Sequence, residues 1–134
     1  MKEVSAAIII ENGKVLLARR AEGEKLAGFW EFPGGKREDY ETIEQCLVRE
    51  IKEELALDVR VLSEFGISNY KYPGGEIRLI ALLCEIRGGT PIPSVHDAVI
   101  WVSISDLLHY QLAPADVPLA QKIQAYDRVN TSSK

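Results

Sequence analysis

Hydrophobic and polar positions follow two different periods along this chain, and the change from one to the other marks out its elements. Apolar-rich runs at Val4–Ile10 and Lys14–Arg19, joined by Glu11-Asn12-Gly13, predict two strands in a hairpin. A short strand is predicted at Phe29–Phe32. From Thr42 the spacing of apolar residues becomes helical: Thr42 with Gln45 three positions on forms a capping-box pattern, and nothing breaks the run before Leu55. Strands at Val59–Tyr70 and Glu76–Arg87 follow, joined around Pro73-Gly74-Gly75, which reads as a hairpin turn because strand rather than helix comes after it. The Gly- and Pro-rich stretch Gly88–Pro93 leads to a strand at Val99–Val102, a short helix near Ser105–His109 and a last helix from about Val117 to Tyr126. The polar tail Asn130–Lys134 is expected to fray. Strands with helices interspersed predict an α/β layered sandwich, and residues 1–134 read as a single domain without linker or repeat.

Composition narrows the class without naming a chemistry. A chain of 134 residues with 46% hydrophobic content and a net charge of −4 fits one globular domain with a proper core. Val4–Ile10 is too short to cross a bilayer and lacks a signal-peptide pattern, so a cytoplasmic protein with no membrane attachment is expected. Cys46 and Cys84 lack CxxC spacing and read as reduced, buried hydrophobes. There is no basic tract with interleaved aromatics, so a nucleic acid polymer is not an expected partner, and no protein partner is implied.

The helix from Thr42 carries the chemical signal. At about 100° per residue Ile43, Cys46 and Leu47 share one side, and Ile51, Leu55 and Val48 widen the apolar stripe. Carried forward, that side receives Glu50 and Glu54, with Glu53 at its border, while Arg49, Lys52 and Gln45 look outward. Like charges three and four apart repel, and partial burial drives an unpaired carboxyl to keep its proton. With Arg49 pointing too far round to serve all three, a cation must be supplied, and Mg²⁺ binds through a few carboxylates plus substrate phosphates. A solvated charged face is the bland alternative, and the azimuth argues against it. Just upstream, Trp30-Glu31-Phe32-Pro33-Gly34-Gly35-Lys36 reads as a strand entering a glycine turn that feeds the helix, where backbone could approach a ligand closely and Lys36 could meet phosphate.

Gly35, Glu41, Arg49, Glu50, Ile51, Glu53, Glu54 and Leu57 together resemble the Nudix box, G-x5-E-x7-R-E-U-x-E-E-x-G-U, in register over its whole length. Two positions depart from the family pattern. Ala56 stands where the family has a glycine that ends the helix in a left-handed conformation, and Tyr40 stands where close relatives usually have glycine. Val15–Arg20, the Trp30–Lys36 segment and Leu112–Pro118 extend the resemblance to the MutT-like branch.

That resemblance implies a Nudix fold, an α/β/α sandwich with a mixed sheet, and hydrolysis of a (deoxy)nucleoside triphosphate to monophosphate and pyrophosphate with Mg²⁺, or Mn²⁺ in its place. By matching position, the Gly34 carbonyl, Glu50, Glu53 and Glu54 would hold metal. Glu50 would activate water, Arg49 would orient the Glu50 carboxylate, and Arg20 and Lys36 would meet phosphate. The family's further acidic ligand has no clean counterpart; Asp97, beside His96, is the nearest carboxylate. Asp116 matches the position that meets the nucleobase in relatives, and it is equally a good N-cap for the last helix. Because an ionised aspartate only accepts hydrogen bonds, cytidine nucleotides stand beside oxidised guanine nucleotides as expected substrates. A nucleoside diphosphate derivative such as a nucleotide sugar, or a non-catalytic nucleotide-binding module, are the alternative readings.

Overall fold

In the computed structural model, which describes residues 1–132, six strands form one mixed sheet with a helix on each face. The strands are β1 (Lys2–Glu11), β2 (Lys14–Arg20), β3 (Trp30–Glu31), β4 (Asp58–Tyr72), β5 (Gly75–Gly88) and β6 (His96–Ser103). The helices are α1 (Ile43–Leu55) and α2 (Val117–Ser132), with short 3-10 turns at Ile104–His109 and Pro114–Asp116 between β6 and α2. The helix predicted near Ser105–His109 is therefore a 3-10 turn. The final helix runs past Tyr126 to Ser132, and the end of the tail expected to fray, Ser133 and Lys134, lies outside the described residues. Among the described residues, no helix is long and apolar enough to cross a membrane.

Alternation along β1 builds both halves of the core. Ala7 and Ile9 face α1, where they pack with Leu47, Ile51, Leu55 and Leu82. Ala6 and Ile8 face the other way, with Leu119, Ala120 and Ile123 of α2. Each such large aliphatic side chain contributes roughly 1.5–3 kcal/mol by leaving water. The helix-face reading holds for Cys46, Leu47, Ile51 and Leu55, all buried, but not for Val48, which is exposed at the edge of the stripe. The capping box is formed: the Gln45 amide donates to Thr42 Oγ1 (3.1 Å) and the Thr42 amide to Gln45 Oε1 (2.9 Å).

Two departures from a simple sheet create the site. β1 pairs in parallel with β5 from Lys2 to Ile9, but on its other side it meets β2 only at the hairpin base, Ile10 with Val15 and Glu11 with Lys14. β2 turns away to pair with β3 and β6. The edge of β1 that β2 leaves free is taken by the segment entering α1. Ala7 donates to the Pro33 carbonyl (2.7 Å), Ser5 to that of Gly35 (2.8 Å), and Arg37 donates back to that of Glu3 (3.0 Å).

At the other end of α1, Ala56 takes the left-handed conformation (φ 56°, ψ 31°) that the family assigns to glycine, and its amide donates to the Lys52 carbonyl. The loop before β6 closes over the same end. Ile92 donates to the Leu55 carbonyl (2.8 Å) and Ser94 to that of Glu54 (2.9 Å), satisfying carbonyls that a helix end otherwise leaves open.

Candidate active site

The Gly34–Gly35 backbone and the last two turns of α1 meet in the cleft between the diverging halves of the sheet. A Cβ at Gly34 would lie 2.0 Å from the Ser5 carbonyl oxygen, and one at Gly35 would lie 2.3 Å from Glu50 Cδ. Neither glycine has positive φ, so it is close approach, not backbone freedom, that requires them.

Arg49 does not look outward, as its place on the helical wheel suggested. Its long side chain folds back and joins three acids. Nε and Nη2 hold both oxygens of Glu41 (2.9 and 2.6 Å), and Nη1 reaches Glu50 Oε1 (2.9 Å) and Glu53 Oε2 (3.2 Å). This fork keeps Glu41 ionised, pulling its carboxyl down to about 2, mainly through the hydrogen bonds to Arg49. Glu54 receives no such partner. Burial first, and then the neighbouring Glu50 and Glu31, push its carboxyl up to about 8. Its Oε1 is buried without a hydrogen bond to any described residue.

Two cavities open on this centre. The first, about 320 Å³, is lined by Glu50, Glu53, Glu54, Gly34, Arg20 and Glu31. The second, about 440 Å³ and more apolar, shares Arg20 and Glu31 with it and extends past Tyr72 and Leu79 to Asp116. Arg20 Nη1 and Glu31 Oε1 pair at 3.1 Å, so a bonded cation and anion stand at the junction.

The structure thus brings Gly34, Glu50, Glu53, Glu54 and Arg20 around one space and leaves two candidates outside it. Lys36 is exposed and lines neither cavity. Asp97 is tied to Arg19 at 2.6 Å on the surface, with both side chains about 41% exposed, and also lies outside. Its neighbour His96 is the residue that lines the first cavity: it is buried, with Nε2 2.9 Å from Glu31 Oε2 and Nδ1 unpartnered among the described residues. Glu31 itself went unremarked in the sequence, where the one available signal was an acid in an otherwise apolar Trp-Glu-Phe strand.

Asp116 does not cap α2. Its Oδ2 accepts a hydrogen bond from the Phe32 amide at 2.9 Å, tying the second cavity to the strand that leads into the glycine turn. Burial first, and then the neighbouring Glu31, raise its carboxyl well above its ordinary value. Tyr72 is the aromatic residue lining this cavity, and its hydroxyl accepts from the Ala115 amide (3.0 Å).

Among the described residues, no group of three or more Asp, Glu, His or Cys side chains is gathered as a ready-made metal cage. Arg49 draws Glu53 aside, toward the surface, where it is 60% exposed. What remains suits a hard cation: a half-buried carboxyl whose buried Oε1 has no partner among the described residues, a second carboxylate in the same cavity, and the Gly34 backbone lining it.

Residues 1–123 match the Nudix domain family. The chain is 43% identical to the CTP pyrophosphohydrolase of Escherichia coli (strain K12), over 93% of each chain. It is 34% identical to the 8-oxo-dGTP diphosphatase of the same organism, over 92% of this chain and 98% of that one. Among solved structures, a MutT Nudix hydrolase from Burkholderia pseudomallei superimposes with a TM-score of 0.82 at 25% identity, covering 90% of this chain and 96% of that one. With the family matched over residues 1–123 and these relatives covered over nearly their whole length, the chain belongs to the Nudix hydrolase family.

Proposed function

We propose that this chain hydrolyses a (deoxy)nucleoside triphosphate to the monophosphate and pyrophosphate, in the manner of enzymes that clean the nucleotide pool, with Mg²⁺ as its metal and Mn²⁺ able to replace it. Nudix hydrolases act on small nucleotides and generally use divalent metals. The observation that carries the reading is Glu54, a half-buried carboxyl whose buried Oε1 has no partner among the described residues, with Glu50 in the same cavity, which Arg20 also lines. A divalent cation there would neutralise phosphoryl oxygens and make a bound water more acidic. Glu50, Glu53, Glu54 and the Gly34 carbonyl would hold it.

The chain's own residues divide the remaining work. Arg49 grips Glu50 by Oε1, which fixes the carboxylate's orientation. That leaves Oε2, on the Gly35 side, to take a proton from the attacking water as its oxygen bonds to phosphorus and the bridging P–O bond breaks. The group on the far side of that bond departs with its electrons, giving monophosphate and pyrophosphate. Arg20, at the junction, would lie against the phosphates while the base occupies the apolar cavity between Tyr72 and Asp116. Asp116, at the end of that cavity, offers the carboxyl that would meet the cytosine or oxidised guanine edge, and its burial favours the protonated form.

Pyrophosphate release from CTP, dCTP, 8-oxo-dGTP and the unmodified triphosphates, with Mg²⁺ and with EDTA, tests this reading. Turnover should depend on Mg²⁺, and Glu50→Gln should reduce kcat by about 10²-fold or more, the usual scale for a positioned general base. Release of two monophosphates from a nucleotide sugar, with no triphosphate hydrolysed, would move the substrate to the diphosphate derivatives. Unchanged turnover in the variant would refute the role given to Glu50.

A further inference from the structure

We infer that Ser5 and Cys46 are positioning residues, which lock the Gly34–Gly35 backbone to α1 and so set the distance between the Gly34 carbonyl and Glu50. The inference rests on the metal site proposed above. The two supposed ligands come from different segments, one from an extended stretch and one from a helix, so something must hold them in register.

The Gly35 carbonyl oxygen is where the segments are joined. It lies within hydrogen-bond reach of three donors: the Ser5 amide at 2.8 Å, Ser5 Oγ at 3.1 Å and Cys46 Sγ at 3.3 Å. In the other direction, the Gly35 amide donates to Ser5 Oγ at 3.2 Å. Ser5 Oγ and Cys46 Sγ also touch each other at 3.4 Å, closing a small ring. Both side chains are buried, Ser5 to 1% exposure and Cys46 to 0%, so water does not compete for these bonds. Burial raises the Cys46 thiol, which therefore keeps the hydrogen it donates.

Helix geometry carries the constraint to the site. Cys46 precedes Glu50 by four residues, one turn along the same face. Pinning Gly35 to Cys46 therefore sets the glycine backbone against the next turn, where a Cβ on Gly35 would fall 2.4 Å from Glu50 Oε2. Ser5 sits on β1, the strand whose edge this segment occupies, so three elements are tied at a single peptide. A buried cysteine would otherwise need only an apolar neighbour, and Cys84 is that case, with its Sγ facing nothing beyond a carbonyl of its own strand, that of Leu82, at 3.4 Å.

The test is direct titration of the full chain with Mn²⁺ alone, without nucleotide, followed by the loss of the free-ion EPR signal, in the parent, Ser5→Ala, Cys46→Ala, Cys46→Ser and Cys84→Ala. Outer-shell groups of metal sites typically hold 10–100-fold in affinity, so Ser5→Ala and Cys46→Ala should each weaken Mn²⁺ by about tenfold. Cys46→Ser, which keeps a donor at the same place, should recover to about twofold of the parent, and Cys84→Ala should match it. Urea midpoints in EDTA show which variants are folded, and Cys84→Ala sets the scale for simple loss of packing. Affinities within twofold of the parent in both alanine variants overturn the inference, as does a Cys46→Ser loss equal to that of Cys46→Ala. A parent that binds no Mn²⁺ refutes instead the metal site on which the inference rests.

Discussion

Replacing Glu54 by Gln should stabilise this protein in the absence of metal, and the gain should depend on pH. The carboxyl rises from an ordinary 4.5 to about 8 through burial and the charges of Glu50 and Glu31. A group whose folded pKa is raised contributes stability that is fully present below the unfolded value and is lost as pH climbs through the folded one. The window is therefore about pH 4.5 to 8. At about 1.4 kcal/mol per pH unit across that window, the upper bound is about 5 kcal/mol. Relaxation around the new charge lowers this, and we expect about 3 kcal/mol.

Gln is isosteric with the protonated acid and cannot ionise. In EDTA the two proteins should unfold at similar urea concentrations at pH 5. At pH 9 the variant should be more resistant by about 1.5 M, taking m near 2 kcal/mol/M. Millimolar Mg²⁺ should restore the parent at pH 9, with release of the Glu54 proton on binding near neutral pH, and should do little for the variant. Parallel stability profiles for the two proteins across pH 5 to 9 would show that Glu54 is an ordinary exposed acid and would remove the main support for a cation in this cleft.

Three further outcomes follow from the same geometry. Ala56→Gly should stabilise by about 0.5–1 kcal/mol in urea denaturation, because Ala56 holds a left-handed φ of 56° that glycine adopts without strain; an unchanged or lower midpoint would contradict this. Arg20→Ala should raise KM by about tenfold, the scale of one charged hydrogen bond, while Lys36→Ala should change it less than about twofold, since Lys36 lines neither cavity; a larger effect at Lys36 would reverse the assignment. Asp116→Asn should reorder kcat/KM among cytosine and guanine triphosphates with the Mg²⁺ requirement intact, whereas equal losses on every base would show that Asp116 only ties down Phe32.

What could be read from the sequence was local. The capping box, the buried stripe of α1 and the entry of Glu50 and Glu54 into it follow from periodicity within a single helix, as did the strained Ala56 once the family glycine was known. Arg49 was misread because azimuth fixes where Cα–Cβ points, not where a guanidinium four bonds further on finds its partners. Glu31 and His96 were missed for a different reason. Their contact spans 65 residues and exists only because β2 leaves β1 and pairs with both β3 and β6, a branch that no local pattern announces. Asp116 met the same limit, since its bond to Phe32 spans 84 residues while its position before a helix offered a local role.

The correction at Arg49 sharpens the case for a cation rather than weakening it. Had Arg49 faced solvent, Glu50, Glu53 and Glu54 would have been equivalent, and any counter-ion would have served all of them. Instead one guanidinium is divided among Glu41, Glu50 and Glu53, and its shortest contact, 2.6 Å, goes to Glu41 outside the cavity. Four carboxyl groups then stand against one guanidinium, and the acid left without any share is Glu54, the one that already resists ionising. Arg20 pairs with Glu31, yet the Glu31 charge still reaches Glu54 and adds to this excess. The deficit is thus concentrated on the Glu50–Glu54 side of the cleft, which Gly34 also lines. A lysine in that place would bring one charge and a fixed stem, whereas a divalent ion would bring two charges and open positions for phosphate oxygens. An acidic chain of net charge −4 needs such an inversion of local field before a polyphosphate can settle beside its glutamates.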